Sequence, residues 1–232
     1  MNASAIHYDT LSDVDLAARA ANRDVSAIKT ITTRNNQRLF RAAWSVLRSH
    51  SDAEEAVQEA YLKAFTGLTG YSGKSSLSTW LTRIVVNTAL DQKRASNRRR
   101  AALRDQDVAM IEDQRAIHAA NLGASQPPET QLARSELADA IKNAVARLPD
   151  QYRSVFVLRD IEGMSVRETA QAASLKEATV KSRLHRARHI LRDDLSVEIG
   201  GIIANSITFA GADCEAMTQR VLAALTTQST GD

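Results

Sequence analysis

Cysteine, proline, glycine and aromatic residues are all scarce in this chain: one Cys, three Pro, nine Gly and 4% aromatics. A single cysteine, Cys214, rules out an internal disulfide and leaves no cysteine cluster for zinc or iron–sulfur ligation, a usage that suits a reducing compartment. Its neighbours Asp213 and Glu215 are the opposite of the electropositive setting that activates a thiolate. Without β-branched alternation or regular turn signals, and with Ala, Leu and Arg abundant, the chain is expected to be all-α. Long apolar runs are also missing. The most apolar late stretch, 199–212, is shorter than the roughly 20 residues a spanning helix needs, and Gly200, Gly201, Asn205 and Ser206 interrupt it. The amino-terminal residues carry Asp9, Asp13 and Asp15 in place of the basic flank and apolar core of a secretory signal. A cytoplasmic protein without a membrane span is the expectation. Neither a nucleophile–base constellation nor the paired Glu and His motifs of metal bundles is visible, so no enzyme activity, cofactor or metal is expected.

What is present is helical periodicity and clustered basic charge. The net charge is only +3, but local patches, not totals, create a field that attracts phosphate. Apolar positions recur at helical spacing from Leu11 to about Arg48, with Leu39, Ala43, Val46 and Leu47 in one stripe. Ser51 and Glu54 have capping-box spacing and predict a helix through Phe65, broken by Gly67, Gly70 and Gly73. A further helix is predicted from Ser78 to about Arg100, its apolar side carried by Leu81, Ile84, Val85, Thr88 and Leu90. Periodicity fades over 101–130, where Gly123, Pro127 and Pro128 indicate an interdomain linker. A second domain over 131–195 follows, with Tyr152, Val155, Phe156 and Leu158 on a buried face.

Within that second domain, Ser165 and Glu168 form another capping-box pattern, followed by a short helix, a tight turn near Ser174 and Leu175, and a longer helix from about Lys176 to Leu195. This is the layout of a helix-turn-helix. On the last helix Val180, Leu184, Ala187 and Leu191 fall in one narrow arc and should point inward, leaving Lys181, Ser182, His185, Arg186 and His189 outward. The start of such a second helix enters the major groove, where Lys and Arg donate to guanine and Ser pairs flexibly. Lys181, Ser182, His185 and Arg186 are the candidate base readers; Arg183, Arg188 and Arg192 suit phosphates. A solvated basic face on an ordinary helical hairpin accounts for the same spacing, which alone does not separate the two readings. His185 and His189 stand four apart, but no third metal ligand accompanies them.

Residues 164–188, MSVRETAQAASLKEATVKSRLHRAR, preceded by LPDQYRSVFVLR at 148–159, closely resemble the fourth domain of the extracytoplasmic-function (ECF) sigma factors of bacterial RNA polymerase. Ser174 and Ala178 stand where that family usually has glycine, and Lys176 where proline is frequent. Independently, 52–65 (DAEEAVQEAYLKAF) and 71–91 (YSGKSSLSTWLTRIVVNTALD) resemble its second domain. The resemblance implies a factor that binds core RNA polymerase, recognises minus-35 and minus-ten promoter elements and promotes melting, with an anti-sigma protein as partner and as tether near the membrane. It implies that Asp52, Glu55, Gln58 and Glu59 dock on the polymerase, where carboxylates pair with arginines. It places Tyr71, Lys74, Ser75, Ser76, Trp80, Arg83 and Asn87 at the minus-ten element, where a pocket combining stacking and hydrogen bonds traps an unpaired base. Core packing explains Trp80 and Leu77 equally well. Lys93, Arg94, Arg98, Arg99, Arg100 and Arg104 form a basic cluster suited to backbone phosphates.

The tail 196–232 carries Met217, Val221, Leu222 and Leu225 on one helix face, which must pack against a neighbouring domain or an anti-sigma partner. Two other readings compete. A stand-alone helix-turn-helix regulator leaves the acidic motif and the loop–helix from Tyr71 to Asn87 unexplained. A sigma-like mimic that sequesters anti-sigma protein is expected beside a receiver domain, and no receiver-like α/β segment is visible.

Overall fold

Polar caps set the helix boundaries in the first half of the chain. In the computed structural model, which describes residues 7–104, 141–195 and 212–227, Ser12 opens α1 (Asp13–Ala21) by accepting from the Asp15 amide at 3.2 Å. Asp24 opens α2 (Val25–Leu47) by accepting from the Ser26 and Ala27 amides at 3.0 and 3.2 Å. The single periodic run from Leu11 to Arg48 is therefore two helices. Arg23 turns the corner with φ of 61°, and Asp24 is worth more as a cap than as an interior helical residue.

Arg48, also left-handed at φ 61°, ends α2, and Ser49 at once caps α3 (His50–Thr66) by accepting from the Asp52 amide at 3.3 Å. The capping box expected at Ser51 and Glu54 does not form. The turn after α2 is so short that the cap falls two residues earlier, and Ser51 Oγ shares a hydrogen bond with Ser49 Oγ at 3.1 Å instead. After a short turn, α4 (Leu77–Arg104) begins one residue before its predicted start and overruns its predicted end into the expected linker. The rest of that linker, with Asp105, Asp107, Glu112 and Asp113, and residues 131–140 lie outside the described residues. α1 to α4 share one core that includes Leu16, Ile31, Leu39, Tyr61, Leu81 and Val85, each large apolar side chain contributing roughly 1.5–3 kcal/mol by its burial.

The second group comprises α5 (141–147), α6 (Asp150–Phe156) continuing into a π-helical turn (Val157–Ile161), α7 (Val166–Ala172) and α8 (Glu177–Leu195). Ser165 and Glu168 form the predicted capping box, with bonds of 2.8 and 3.2 Å. Ser174 makes the tight turn between α7 and α8 with φ of 54°, taking the conformation that suits a glycine. Val180, Leu184, Ala187 and Leu191 face inward as their spacing requires, packing with Ile141, Leu148 and Val155. A last helix, α9 (Ala212–Thr227), lies on α2 and α3. No strand occurs among the described residues, and no helix among them is long and apolar enough to cross a membrane.

The two groups touch. α6 packs on α2 and α7 on α4, Trp44 contacts both cores, and Leu158, Met164 and Ala172 join the first one. The contact is fastened by charge buried in pairs, as buried charge must be. Arg41 of α2 donates to both carboxylate oxygens of Glu162 at 2.6 and 3.2 Å, and Arg38 donates to the Glu162 carbonyl at 2.7 Å. Arg153, wholly buried in α6, donates to the Ser45 carbonyl of α2 at 2.9 Å while its guanidinium lies 5.9 Å from the Trp44 ring centroid.

Candidate functional site

α3 presents its acidic row on the surface of the first group. Asp52 and Glu55 are exposed, whereas Gln58 and Glu59 are half-buried. Glu59 accepts from Gln92 of α4 at 2.9 Å and pairs with Lys63 at 2.6 Å. The two carboxylates open to a partner are thus Asp52 and Glu55, one turn apart on the same side of the helix. Glu54 turns away from them, toward His50 and Arg220.

The loop before α4 is built from both ends. Leu77 donates its amide to Asp13 of α1 at 2.8 Å, and Ser76 caps α4 by accepting from the Thr79 amide at 3.1 Å. Tyr71 donates its hydroxyl to the Ser75 carbonyl at 2.8 Å, and its ring lies 5.6 Å from that of Trp80 in a tilted pair. Burial, with Asp13 close by, raises the Tyr71 hydroxyl above its ordinary pKa. Gly73 takes a positive φ of 69°, where a Cβ would stand 3.0 Å from a Val14 methyl. Leu77 is a core residue at 2% exposure, whereas Trp80 is half-buried, one edge on the core and the other beside the loop. Lys74, Arg83 and Asn87 are exposed, whereas Ser75 is half-buried. The structure therefore brings Tyr71, Ser75 and Ser76 of the loop together with Trp80 at the start of α4, and Lys74 and Arg83 share the lining of one cleft with Ser75, whereas Asn87 lies further along α4.

Two of the basic candidates at the end of this group differ in setting. Arg94 is exposed and pairs with Asp91 at 3.0 Å. Lys93 donates to the Val46 carbonyl of its own group at 2.9 Å and reaches across to Asp150 of the second group. Burial alone would push the Asp150 carboxyl up, but hydrogen bonds from Lys93 and Arg153 outweigh it and hold the carboxyl below its ordinary range. The stabilisation this group contributes is therefore complete above the ordinary carboxyl pKa and is lost only as pH falls through the lowered value.

On α8, Lys181, Ser182, His185 and Arg186 stand exposed on the side opposite the buried stripe, and Arg183 is half-buried at its edge. Arg188 is exposed but engaged, donating to both oxygens of Asp160 at 2.8 and 2.7 Å. His189 pairs with Asp193 at 2.8 Å.

Sequence reasoning missed a cleft between the two groups. It has a volume of 390 Å³ and is lined on one side by Lys74, Ser75, Thr79 and Arg83 and on the other by Ser165, Arg167, Glu168 and Gln171. The loop before α4 thus faces α7, the first helix of the helix-turn-helix. It also missed Arg41, Arg153 and Glu162. Their only signal is a charged residue set inside an apolar stretch, such as Arg153 between Tyr152 and Val155, and charge in such a place usually lies at the surface.

Residues 31–99 match the family Sigma-70 region 2, and residues 138–191 match Sigma-70, region 4. Among curated proteins the chain is 33% identical over 177 residues to the ECF RNA polymerase sigma factor SigM of Mycobacterium tuberculosis, covering 76% of this chain and 81% of the relative. It is 28% identical over 172 residues to SigW of Bacillus subtilis, covering 74% and 90%. Among solved structures it is similar to the sigma factor RpoE from Bartonella quintana, in complex with the anti-sigma factor NepR, with TM-score 0.52, 26% identity and coverage of 78% and 99%. It is also similar to CnrH in complex with the cytosolic domain of CnrY, with TM-score 0.51, 26% identity and coverage of 79% and 97%. Two region matches in chain order, a relative above 30% identity across most of its length, and a helix-turn-helix with an exposed basic face converge: the chain belongs to the ECF sigma factors of RNA polymerase.

Proposed function

We propose a division of labour by domain for this sigma factor, which binds core RNA polymerase, recognises minus-35 and minus-ten promoter elements and promotes DNA melting. Residues 1–100 form the module that docks on the enzyme and melts DNA, 101–130 the linker, 131–195 the module that reads intact duplex upstream, and 196–232 an extension. Asp52 and Glu55, with Gln58 and Glu59 beside them, meet basic groups of the polymerase. Tyr71, Lys74, Ser75, Ser76, Trp80, Arg83 and Asn87 hold the unpaired minus-ten strand, with Lys93 and Arg94 on its phosphates. Lys181, Ser182, His185 and Arg186 read the minus-35 bases, with Arg183 and Arg188 on the backbone. The protein works in the cytoplasm, is no enzyme, and is controlled by an anti-sigma protein of the kind bound by its solved relatives, which can hold it near the membrane.

The observation that carries this reading is the row Lys181, Ser182, His185, Arg186, exposed over a fully packed stripe on the second helix of a helix-turn-helix. Lys181→Ala with Arg186→Ala is expected to weaken minus-35 recognition by about 1–3 kcal/mol for each lost base contact while core association is unchanged. Promoter binding by holoenzyme and core pull-down measure the two; loss of core association refutes the assignment. Asn87→Ala is expected to lose about 1 kcal/mol of hydrogen bonding to the melted strand, so permanganate footprints of the open region weaken several-fold while initial promoter binding holds. Footprints equal to those of the unaltered protein refute that role.

The arrangement with the two groups in contact does not fit a promoter. The two elements lie, by their names, roughly 25 base pairs apart, about 85 Å at a rise of about 3.4 Å per pair. A compact chain of this length is only about 45 Å across. The groups must separate for both elements to be read at once, and separation also opens the cleft that faces Lys74 and Arg83.

A further inference from the structure

Polar side chains alone, among the described residues, wall the cleft between the two groups. The loop before α4 and the first turns of α4 bring Lys74, Ser75, Thr79 and Arg83 to one wall, and α7 brings Arg167 and Gln171 to the other. Three cations thus stand against the single carboxylate of Glu168. That carboxylate is already engaged in the capping box, where it accepts from the Ser165 amide at 2.8 Å. Lys74, Arg83 and Arg167 are exposed and make no hydrogen bond or ion pair with a described residue. Cations gathered round one space repel each other, whereas an anion among them is attracted by all three. A hydroxyl donor is also at hand: Thr79, 6% exposed, accepts from the Ser76 hydroxyl at 2.9 Å and keeps its own proton to give. The cleft's 390 Å³ falls in the range of about 300–1,000 Å³ typical of small-ligand sites. With no aromatic or aliphatic side chain among the described lining residues, nothing there stacks a base or covers a hydrocarbon. The chemistry fits a compact polyanion, and guanidinium forks suit phosphate oxygens taken in pairs.

We propose that this cleft binds an inorganic oligophosphate, of the class of pyrophosphate and triphosphate, with Lys74 and Arg83 of one group and Arg167 of the other on its oxygens. Each group supplies only part of the site, so the anion binds the contacting arrangement and not the separated one. A ligand that binds one state alone draws the equilibrium toward that state. The bound anion therefore holds the groups together and withholds Lys74 and Arg83 from the minus-ten strand. That consequence, unlike the binding itself, rests on the reading of those two residues as DNA contacts.

Calorimetric titration of the full chain with sodium triphosphate at constant ionic strength tests this, and one saturable site is expected. Arg167→Glu and Lys74→Glu, one from each wall and both at exposed positions, are each expected to weaken binding at least about tenfold, the loss of one hydrogen bond between charged groups. Helical content by circular dichroism should not change. Arg99→Glu alters the net charge equally but stands about 24 Å along α4 from Arg83, beyond the reach of screened charge, and should leave the affinity within about twofold. ATP, which carries the same phosphates with a base attached, is expected to bind no more tightly than triphosphate. The proposal is overturned by the absence of saturable heat at roughly millimolar triphosphate, or by equal weakening from Arg99→Glu. It is overturned equally by a site that Lys74→Glu weakens and Arg167→Glu does not, or by ATP binding about tenfold tighter than triphosphate. Permanganate footprints of Lys74→Glu without added anion keep the DNA reading separate. Weakened footprints, with no anion binding by the parent protein, sink the cleft site alone; unchanged footprints, with anion binding as expected, remove Lys74 from the melted strand and leave the site standing.

Discussion

Glu162→Ala is expected to release the two helical groups from each other while leaving each folded. Arg41 holds the Glu162 carboxylate through two hydrogen bonds, and both side chains are almost wholly removed from water, at 10% and 3% exposure. Breaking a buried pair by removing one partner costs about 3–5 kcal/mol, between roughly two and four powers of ten in an equilibrium. That cost falls on the contacting arrangement alone, because Arg41 regains water once the groups part. The groups therefore separate instead of unfolding. Small-angle scattering is expected to give a larger radius of gyration for the variant, with helical content by circular dichroism unchanged. Glu162→Gln keeps the shape and one acceptor and should fall between. An unaltered radius for Glu162→Ala would show that apolar contacts such as those of Leu158 and Met164 hold the groups together without the ion pair.

Arg153→Ala is expected to cause the largest loss of stability of any single substitution in the second group. The side chain has no exposure and its donors are almost fully committed: the carbonyls of Ser45, Ala146 and Leu148 at 2.9, 3.3 and 2.8 Å, and Asp150 at 2.6 Å. Desolvation pulls the guanidinium below its ordinary pKa while Asp150 opposes the shift, and arginine stays protonated throughout the accessible range. Truncation leaves buried carbonyls without donors and a cavity beside Trp44. A loss of about 3–5 kcal/mol is expected, a large share of the roughly 5–15 kcal/mol that stabilises a domain. The melting of this group should fall by more than about 10 °C. Arg153→Lys should rescue little, since an ammonium lacks the planar fork that serves four acceptors. By contrast Arg188→Ala, which removes an exposed pair with Asp160, should cost under about 1 kcal/mol. A melting temperature within a degree or two of the parent for Arg153→Ala would remove this arginine from its central place.

The two substitutions mark where sequence stops being readable. Helical periodicity located α8 and its inward stripe because Val180, Leu184, Ala187 and Leu191 obey a local rule that no distant residue alters. The Ser165 box was legible for the same reason: donor and acceptor are three residues apart. The Ser51 box was misread because the competing signal, a left-handed Arg48, has no sequence signature of its own in a residue other than glycine or asparagine. The long run from Leu11 to Arg48 concealed its break at Arg23 because Asp24 fits a helical pattern until its side chain is seen accepting from the Ser26 and Ala27 amides. Arg41, Arg153 and Glu162 were illegible in principle. Each is buried only because a partner more than a hundred residues away, or a backbone carbonyl of another helix, meets it there. Of the proposed site residues, the outward row on α8 stands exposed as its spacing implies, and Asp52 and Glu55, which the family resemblance singled out, are exposed as well. Lys93 and Arg188, chosen as phosphate contacts, are engaged with Asp150 and Asp160 in this arrangement. For the tail, Met217 and Val221 do pack on a neighbouring domain; the side chain of Leu225 lies outside the described residues.

Separation of the two groups on promoter DNA is the step on which the account turns, and one distance measures it. Fluorophores placed at Lys29 of α2 and Lys176 beside α8, as Lys29→Cys and Lys176→Cys in a Cys214→Ser background, report the gap between the groups by energy transfer. High transfer in the free chain that collapses once core polymerase and promoter are added is the expected result, since the elements to be spanned lie about 85 Å apart. Transfer that stays high on a promoter actively being transcribed would mean that the groups work while still in contact, and would contradict the account.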